Sequence, residues 1–318
     1  MTMYLTTREG RARGIGAVGV VVALVLLLND LVPNRVGNLG SFVQTFLPWS
    51  GVIVLLLVGA VLVGARRSKG ALAAVLVPAV VWTSLFGPAF FDRAEAARAG
   101  DLTVVTHNVD DANPDPEGTA RRLVGSGAEI IALEELVQPA TRTYERVLAA
   151  THPHHAVHGT VGLWSRYPIR DTRPVPIMPW TRALRSTVDT PQGPLTVYVA
   201  HLASVRIRPA TGFATARRNA AAARLAAELE DAPPGRTLLV GDFNGTTDDR
   251  ALAPVFSRFR SAQQEAGAGL GFSWPAALPF ARIDHILVRG VEPVSAWTLP
   301  ATASDHLPVA ASLRLRTP

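Results

Sequence analysis

There is no cysteine in this 318-residue chain. That excludes disulfides, thiolate metal sites and a cysteine nucleophile, and leaves the redox compartment open. Lysine is almost missing too: Lys69 is the single one, so arginine supplies nearly all the positive charge. Charged residues are scarce at 18%, against 48% apolar. This imbalance is local, because the first ninety residues are far more apolar than the rest. The net charge of +6 is local as well. Residues 1–91 hold seven basic side chains (Arg8, Arg11, Arg13, Arg35, Arg66, Arg67, Lys69) and two acidic ones (Glu9, Asp30). That leaves 24 basic and 23 acidic residues for 92–318, a nearly neutral remainder. A domain that tracks a nucleic-acid backbone is usually basic, and this one is not.

What the N-terminal third does have is long apolar runs, at about 14–31, 49–65 and 70–91, the last containing Pro78. Each approaches the ~20 residues needed to cross a bilayer core. The first is longer than a signal-peptide core, and Asn29-Asp30-Leu31-Val32-Pro33 follows it instead of a small-x-small cleavage site, so it reads as a retained anchor. Basic residues crowd the N-terminus and the second loop, whereas the first loop has only Arg35. By the positive-inside rule those two basic flanks are cytoplasmic and everything after the third span is extracytoplasmic. Trp49, Trp82, Phe90 and Phe91 sit where interfacial anchors belong. No polar constellation lies within the spans, so a transport role has no support. Residues 1–91 therefore read as a membrane region, 92–100 as a polar linker and 101–318 as one large domain. The linker reaches at most about 30 Å, which holds the domain near the outer leaflet.

In the large domain, short apolar or β-branched runs alternate with helical patterns, an α/β layout. Strands read at 102–109, 130–133, 162–169, 195–202, 238–244, 282–288 and up to Leu315. Helices read at 119–126, 144–150 and 214–229. The strands stop at polar residues: Asn108, Glu135, His201, Asp242 with Asn244, Asp284, and Asp305 with His306. Leu238-Leu239-Val240-Gly241-Asp242-Phe243-Asn244 is the sharpest case. A buried run delivers an Asp and an Asn to one face, which alone fits an Asx-capped strand end as well as a site. If these ends meet, the oxygen-rich set suits Mg²⁺, Mn²⁺ or Ca²⁺ against a phosphate better than zinc.

The ordered set His107-Asn108-Val109, Ala132-Leu133-Glu134-Glu135, Trp164-Ser165-Arg166-Tyr167-Pro168-Ile169, Ala200-His201-Leu202, Gly241-Asp242-Phe243-Asn244, Arg282-Ile283-Asp284-His285-Ile286 and Ser304-Asp305-His306-Leu307-Pro308-Val309 resembles the endonuclease/exonuclease/phosphatase superfamily, which has the fold of deoxyribonuclease I. The resemblance spans about 102–315. It implies a four-layered α/β sandwich, preceded here by three transmembrane helices, that cleaves phosphoesters with Mg²⁺. It implies metal ligands at Asn108, Glu135 and Asp305. It implies that Asp242 orients or deprotonates water, that Asn244 and His201 donate to phosphate oxygens, and that His306 is the catalytic imidazole held by Asp284. The chain departs from the pattern at His107 (usually Tyr), Glu134 (usually Gln) and Trp164 (usually Leu). Glu134 puts two acids where one ligand is expected, of which Glu135 is preferred.

The other polar residues read more blandly. Asp110 stands between a turn role and the metal site. His285 points away from Asp284's face and reads as structural. His152, His154, His155 and His158 read as a solvated loop, and Asp248 and Asp249 as turn and cap residues. Arg182, Arg185, Arg206, Arg208, Arg217 and Arg218 could contact an anionic headgroup, but with arginine as the default base any single one reads as a surface charge. The three spans also resemble those of VanJ-type teicoplanin-resistance membrane proteins of actinobacteria, which implies a cell-envelope lipid phosphate or polyprenyl pyrophosphate as substrate. A cell-surface nuclease is the alternative, and it would call for a basic groove. A non-catalytic binding domain on an anchor would show an eroded motif, and none is eroded.

Overall fold

The structure, a computed structural model, describes residues 2–91, 100–232 and 234–315, and only the backbone of residues 2–8. The linker expected at 92–100 therefore lies almost wholly outside the described residues. The N-terminal helices are α1 (Thr2–Leu28), α2 (Leu39–Thr45), α3 (Ser50–Ala60) and α4 (Lys69–Phe86). Then come β1 (Leu102–Asn108), α5 (Pro116–Gly125), β2 (Ile130–Glu134), α6 (Ala140–Leu148), β3 (His154–His158), β4 (Val161–Ser165), β5 (Ile169–Pro174), β6 (Ala183–Thr190) and β7 (Gly193–Ala200). The short β8 (Ile207–Arg208) and β9 (Gly212–Phe213) precede α7 (Ala216–Glu230), β10 (Thr237–Asp242), α8 (Ala253–Phe256), β11 (Arg260–Ser261) and α9 (Ala262–Ala266). The chain closes with β12 (Asp284–Arg289), β13 (Glu292–Thr298) and β14 (Val309–Arg314).

Two compact units emerge. One comprises Met1–Phe91 with Ile207–Phe213 and Asp248–Arg250, and the other holds the remainder. In the first, Glu9–Leu31, Leu47–Ala65 and Lys69–Phe90 are long and apolar enough to cross a membrane. Their outward side chains are themselves apolar: Leu55, Leu56, Val63 and Leu76 are all exposed. That is the pattern of helices whose surroundings are lipid. Contacts between the spans rest on small residues. A Cβ on Gly19 would collide with the Ala74 backbone, and one on Gly51 would collide with the Trp82 ring. Trp82, expected as an interfacial anchor, donates its indole N–H to the Pro48 carbonyl at 2.9 Å. Close approach through Gly and Ala is how apolar helices associate where burial from water gives no driving force. The first loop contains α2, which the sequence reading left unstructured. There Ser41 Oγ donates to Asp249 Oδ1 at 3.0 Å, so Asp249 is a hydrogen-bond acceptor in this unit.

In the second unit, β13-β14-β1-β2-β4-β3 form one six-stranded sheet and β11-β12-β10-β7-β6-β5 another. Among the strands of the described residues, β1–β2 and β10–β7 are the parallel pairs. The continuous apolar runs are explained by burial on both faces. Val104, Ile130, Leu238 and Val240 face the core between the sheets, where they meet Leu184, Val199 and Ile286. Their neighbours Val105 and Ile131 turn to a second core with Leu123 of α5 and Tyr144 and Leu148 of α6. Leu239 turns to a third with Leu225 and Leu229 of α7 and Val255 of α8. Helix, sheet, sheet and helix make the expected four layers.

Several readings need correction. His154–His158 is strand β3 at a sheet edge, and His152 is buried with its Nε2 3.0 Å from the Ala128 carbonyl oxygen. These histidines are not a solvated loop. The reason lies in β-pairing: β3 pairs with the buried strand β4 along its whole length. His155 stacks on Trp164 at 5.9 Å, which gives that unusual tryptophan a packing role. Helix α5 begins at Pro116, three residues earlier than expected, because Asp115 caps it by accepting from the Gly118 N–H at 2.9 Å. Strands β5, β6 and β13 were not read from the sequence at all.

The helix contact can be tested. Gly19→Leu should lower the melting temperature of the detergent-solubilised chain, since overpacking of this kind costs roughly 1–3 kcal/mol. Gly59→Leu, where an added side chain meets nothing within 4 Å, should leave it in place. Equal effects would contradict the packing described.

Candidate active site

The strand directions decide where polar residues gather. Strands β1 and β2 run parallel, and β7 and β10 run parallel, so each pair ends at one edge. Strands β14 and β12 run antiparallel to β1 and β10, so they start at that same edge. Asn108, Glu135, His201, Asp242, Asp284 and the Asp305-His306 turn are thereby delivered together from strands far apart in sequence.

Asp242 is the hub. It is 1% exposed and stands in register with Asp284 across β10–β12. Its Oδ1 accepts from the Asn244 backbone N–H at 2.8 Å. Its Oδ2 accepts from Asn244 Nδ2 at 3.0 Å and from Asn108 Nδ2 at 3.1 Å. Local backbone makes this possible. Gly241 has φ +134°, and a Cβ there would strike the Ala200 carbonyl, so only glycine lets β10 lie this close to β7. Asn244 takes a left-handed φ of +48°, which turns its amide back toward Asp242. The buried Arg218 supports the turn by donating to the Asn244 carbonyl at 3.2 Å. Arg218 is therefore not the surface charge expected.

His306 completes one half. Its Nδ1 lies 2.8 Å from Asp284 Oδ2, which also accepts from Ser273 Oγ at 2.6 Å. Its Nε2 lies 3.9 Å from Asp242 Oδ2. Burial alone would lower the basicity of His306, but the charge and hydrogen bond of Asp284 overcome that and raise its pKa to about 10. The same partnership, against the opposing effect of burial, holds Asp284 below the usual carboxylate value. His306 is thus an imidazolium at neutral pH. Asp242 moves the other way. Burial is the main cause, and despite His306 and the two amides its pKa rises to about 7.

His201 bridges to the other half. Its Nε2 lies 3.4 Å from Asp242 Oδ2 and 3.5 Å from Glu135 Oε1. Burial first, then the charges of Arg182 and His306, push its pKa well down, so it is neutral. Carboxylate oxygens of Glu135, Asp110 and Asp111 lie within 4.8 Å of one another, as do ligand atoms of Asp242, Asp284 and His306. Glu134 and Glu135 separate cleanly. Glu134 is fully buried, and Thr106 Oγ1 donates to it at 2.9 Å. Burial raises its pKa far above the ordinary value and keeps it neutral. Glu135, at φ +62°, leaves the strand and reaches the site. The three residues expected as metal ligands are less tightly grouped. Asn108 is tied to Asp242, and its Oδ1 accepts from the Asp110 N–H at 3.1 Å. Asp305 Oδ2 accepts from Trp274 Nε1 at 3.0 Å, while its Oδ1 stands 3.9 Å from His306 Nε2. Trp274 and Ser273 belong to a segment without any motif, so nothing in the sequence announced them. His285 packs against Phe243 and Phe256 and reaches the Gly245 carbonyl at 2.9 Å, the structural place expected for it.

An oxygen-rich edge with a buried acid of raised pKa and a carboxylate-held imidazolium, on a four-layered sandwich, defines a hydrolytic phosphoesterase or nuclease architecture. The chain belongs to the Endonuclease/Exonuclease/phosphatase family, whose sequence model matches residues 105–306. Solved structures with the same fold include a mannosyl-6-phosphatase from Bacteroides thetaiotaomicron (16% identity, 67% of this chain and 99% of that one, TM-score 0.55). They also include sphingomyelinase C from Streptomyces griseocarneus (19%, 66% and 98%, 0.52) and D. rerio TDP2 in complex with a single-strand DNA product (16%, 67% and 98%, 0.55). No curated protein matches the sequence.

The two glutamates yield a direct test. Glu135→Gln should lower metal-dependent phosphoester turnover by at least 10²-fold, as expected for loss of a charged ligand or its support. Glu134→Gln replaces an already neutral group and should retain turnover within about threefold of the parent. The reverse order would assign the site to Glu134.

Proposed function

We propose that this chain is a membrane-anchored, extracytoplasmic, Mg²⁺-dependent hydrolase of a phosphoester or pyrophosphate in a cell-envelope lipid. The observation that carries the catalytic part is the convergence of Asp242, His201 and the Asp284–His306 pair beside Glu135. The anchoring part is carried by the three apolar helices. The extracytoplasmic side follows from the charge bias of their flanks. A domain held by 92–100 beside the bilayer would meet lipid phosphates at high effective concentration, and its near-neutral charge suits that better than nucleic acid. A role in glycopeptide resistance rests on the likeness to VanJ-type architecture alone.

The donor set fits a hard divalent cation, since all the candidate ligands are oxygens. Glu135, Asn108 and Asp305 would hold it, with Asp110 joining through its contact with Glu135. When bound, such a cation neutralises charge on phosphoryl oxygens as a Lewis acid. The protein groups divide the remaining work. Asp242, with a pKa near the working pH, takes a proton from the attacking water. His306 cannot act as that base, because it is already protonated; it donates a charged hydrogen bond to a phosphoryl oxygen. Neutral His201 supplies a further donor aimed at the same charge, whereas the Asn244 amide, expected to donate to phosphate, instead donates to the Leu202 carbonyl and to Asp242 and so positions that acid. Asp284 holds the imidazolium in place.

Purified chain in detergent with Mg²⁺ should release phosphate or headgroup from a lipid phosphoester. EDTA should abolish this, and His306→Ala should slow it by roughly 10²–10⁴-fold. Equal turnover in the variant would contradict the assigned chemistry. Cleavage of plasmid DNA without lipid turnover would replace the reading with a surface nuclease, and a folded chain inert toward every phosphoester would leave a binding domain. A C-terminal reporter fusion should be active only outside the cytoplasm, and a cytoplasmic signal would overturn the topology.

A further inference from the structure

Arg182 stands out among the arginines of the large domain. It is half-buried, at the start of β6, and its Nε donates to the His201 carbonyl at 3.2 Å. Its Nη2 lies 2.5 Å from His201 Nδ1 and also touches Nε2. Among the described residues no carboxylate lies within ion-pair distance of it. Outlying arginines such as Arg170, Arg173, Arg258 and Arg260 each pair with an acid. A desolvated guanidinium is costly; Arg182 has no acid in contact, but the charges of Asp242 and Glu135 act on it across the imidazole that faces them. A second cation stands close by. Arg217 opens α7, and its guanidinium sits over the Trp180 ring at 5.6 Å, again with no acid at ion-pair distance among the described residues. Burial is the main cause that lowers the Arg182 pKa, and the Arg217 charge adds to it while Asp242 and Glu135 oppose it. In the sequence both belong to a set of six arginines that could meet an anionic headgroup, with nothing to single them out.

On that reading the inner donors, His306 and His201, would each serve one phosphoryl oxygen. Two further fixed positive charges exceed what a phosphodiester needs, since it carries a single negative charge. A terminal phosphoryl group carries about −1.5 to −2 at neutral pH and three acceptor oxygens. Guanidinium forks match that geometry, and stacking on an aromatic ring keeps one ready for it. We propose that Arg182 and Arg217 form an anion subsite beside His201 that receives a terminal phosphoryl group, which makes the preferred substrate a phosphomonoester or a diphosphate and not a phosphodiester. This inference rests on the phosphoesterase reading and names the bond that is cut. The water oxygen forms the new bond to phosphorus, and the bond from phosphorus to the leaving oxygen breaks. The proton taken from water ends on that oxygen, and inorganic phosphate and an alcohol, or a phosphate monoester, depart. The two arginines bind and orient and exchange no proton.

The test compares three lipids with the full chain in detergent and Mg²⁺: phosphatidic acid, a prenyl diphosphate, and sphingomyelin as the phosphodiester. The parent should show a kcat/KM at least tenfold higher for one or both terminal phosphates, and the two arms tell monoester from diphosphate. Arg217→Ala, an exposed change that leaves the core intact, should reduce the terminal-to-diester ratio of kcat/KM about tenfold, and Arg182→Lys should do so at least as strongly. Calorimetry on the EDTA-treated chain with inorganic phosphate gives a readout without turnover, and Arg217→Ala should weaken that binding several-fold. A parent that prefers sphingomyelin, or an Arg217→Ala variant that keeps both the ratio and the phosphate affinity, would overturn the subsite. No turnover of any of the three lipids by folded parent chain would instead overturn the phosphoesterase reading beneath it.

Discussion

The buried pair of Asp284 and His306 is the interaction on which the rest of the site depends. Asp284 is 1% exposed and His306 5%, so neither charge is hydrated, and each is tolerable only because the other is present. Removing one partner from such a pair typically costs about 3–5 kcal/mol. That constraint sets the protonation pattern of everything nearby. An imidazolium at His306 favours a neutral His201 and limits how far the Asp242 pKa climbs. The result is three neighbouring groups in three different states: a cationic donor, a neutral donor and an acid poised near neutrality. Environments that push titratable groups apart in this way are what acid–base chemistry requires.

The fold supplies the constraint by topology. Each sheet carries one parallel pair at its centre, and the antiparallel strands beside them begin where those pairs end. Polar positions far apart in sequence meet there, and the segment between α9 and β12 adds Ser273 and Trp274 to hold Asp284 and Asp305. Rigid buried strands hold the acids, while left-handed turns at Asp110, Glu135 and Asn244 re-aim the side chains that follow. Backbone cost is concentrated at the site and stability is drawn from three apolar cores elsewhere. The membrane helices are a separate solution to a different solvent, with lipid-facing leucines and valines outside and glycine contacts inside.

Much of this was legible in the residues. Buried strands announce themselves when both faces are apolar, as in Ile130-Ile131-Ala132-Leu133 and Leu238-Leu239-Val240, and each of these ended at a site residue. Strands β3, β5 and β13 were missed because they pair at or near sheet edges and carry His, Arg and Glu. Their register is imposed by a neighbour and not by their own pattern. The choice between Glu134 and Glu135 follows from which one the strand buries, something adjacent identical residues cannot reveal. Trp274 was missed, and Arg182 and Arg218 were not separated from four other arginines, for a related reason. An arginine that supports an active-site turn or imidazole has no local mark that separates it from a solvated one, and only the meeting of distant strands gives it a partner.

The central claim is that Asp284 and His306 act as one catalytic unit. A double-mutant cycle measures this most directly, with kcat/KM toward a lipid phosphate determined for the parent, Asp284→Asn, His306→Ala and the double variant, all in Mg²⁺. If the pair is a unit, the double variant will be no slower than His306→Ala alone, because the aspartate has nothing left to hold. Losses that multiply, with Asp284→Asn slowing His306→Ala by the same factor as it slows the parent, would contradict the account.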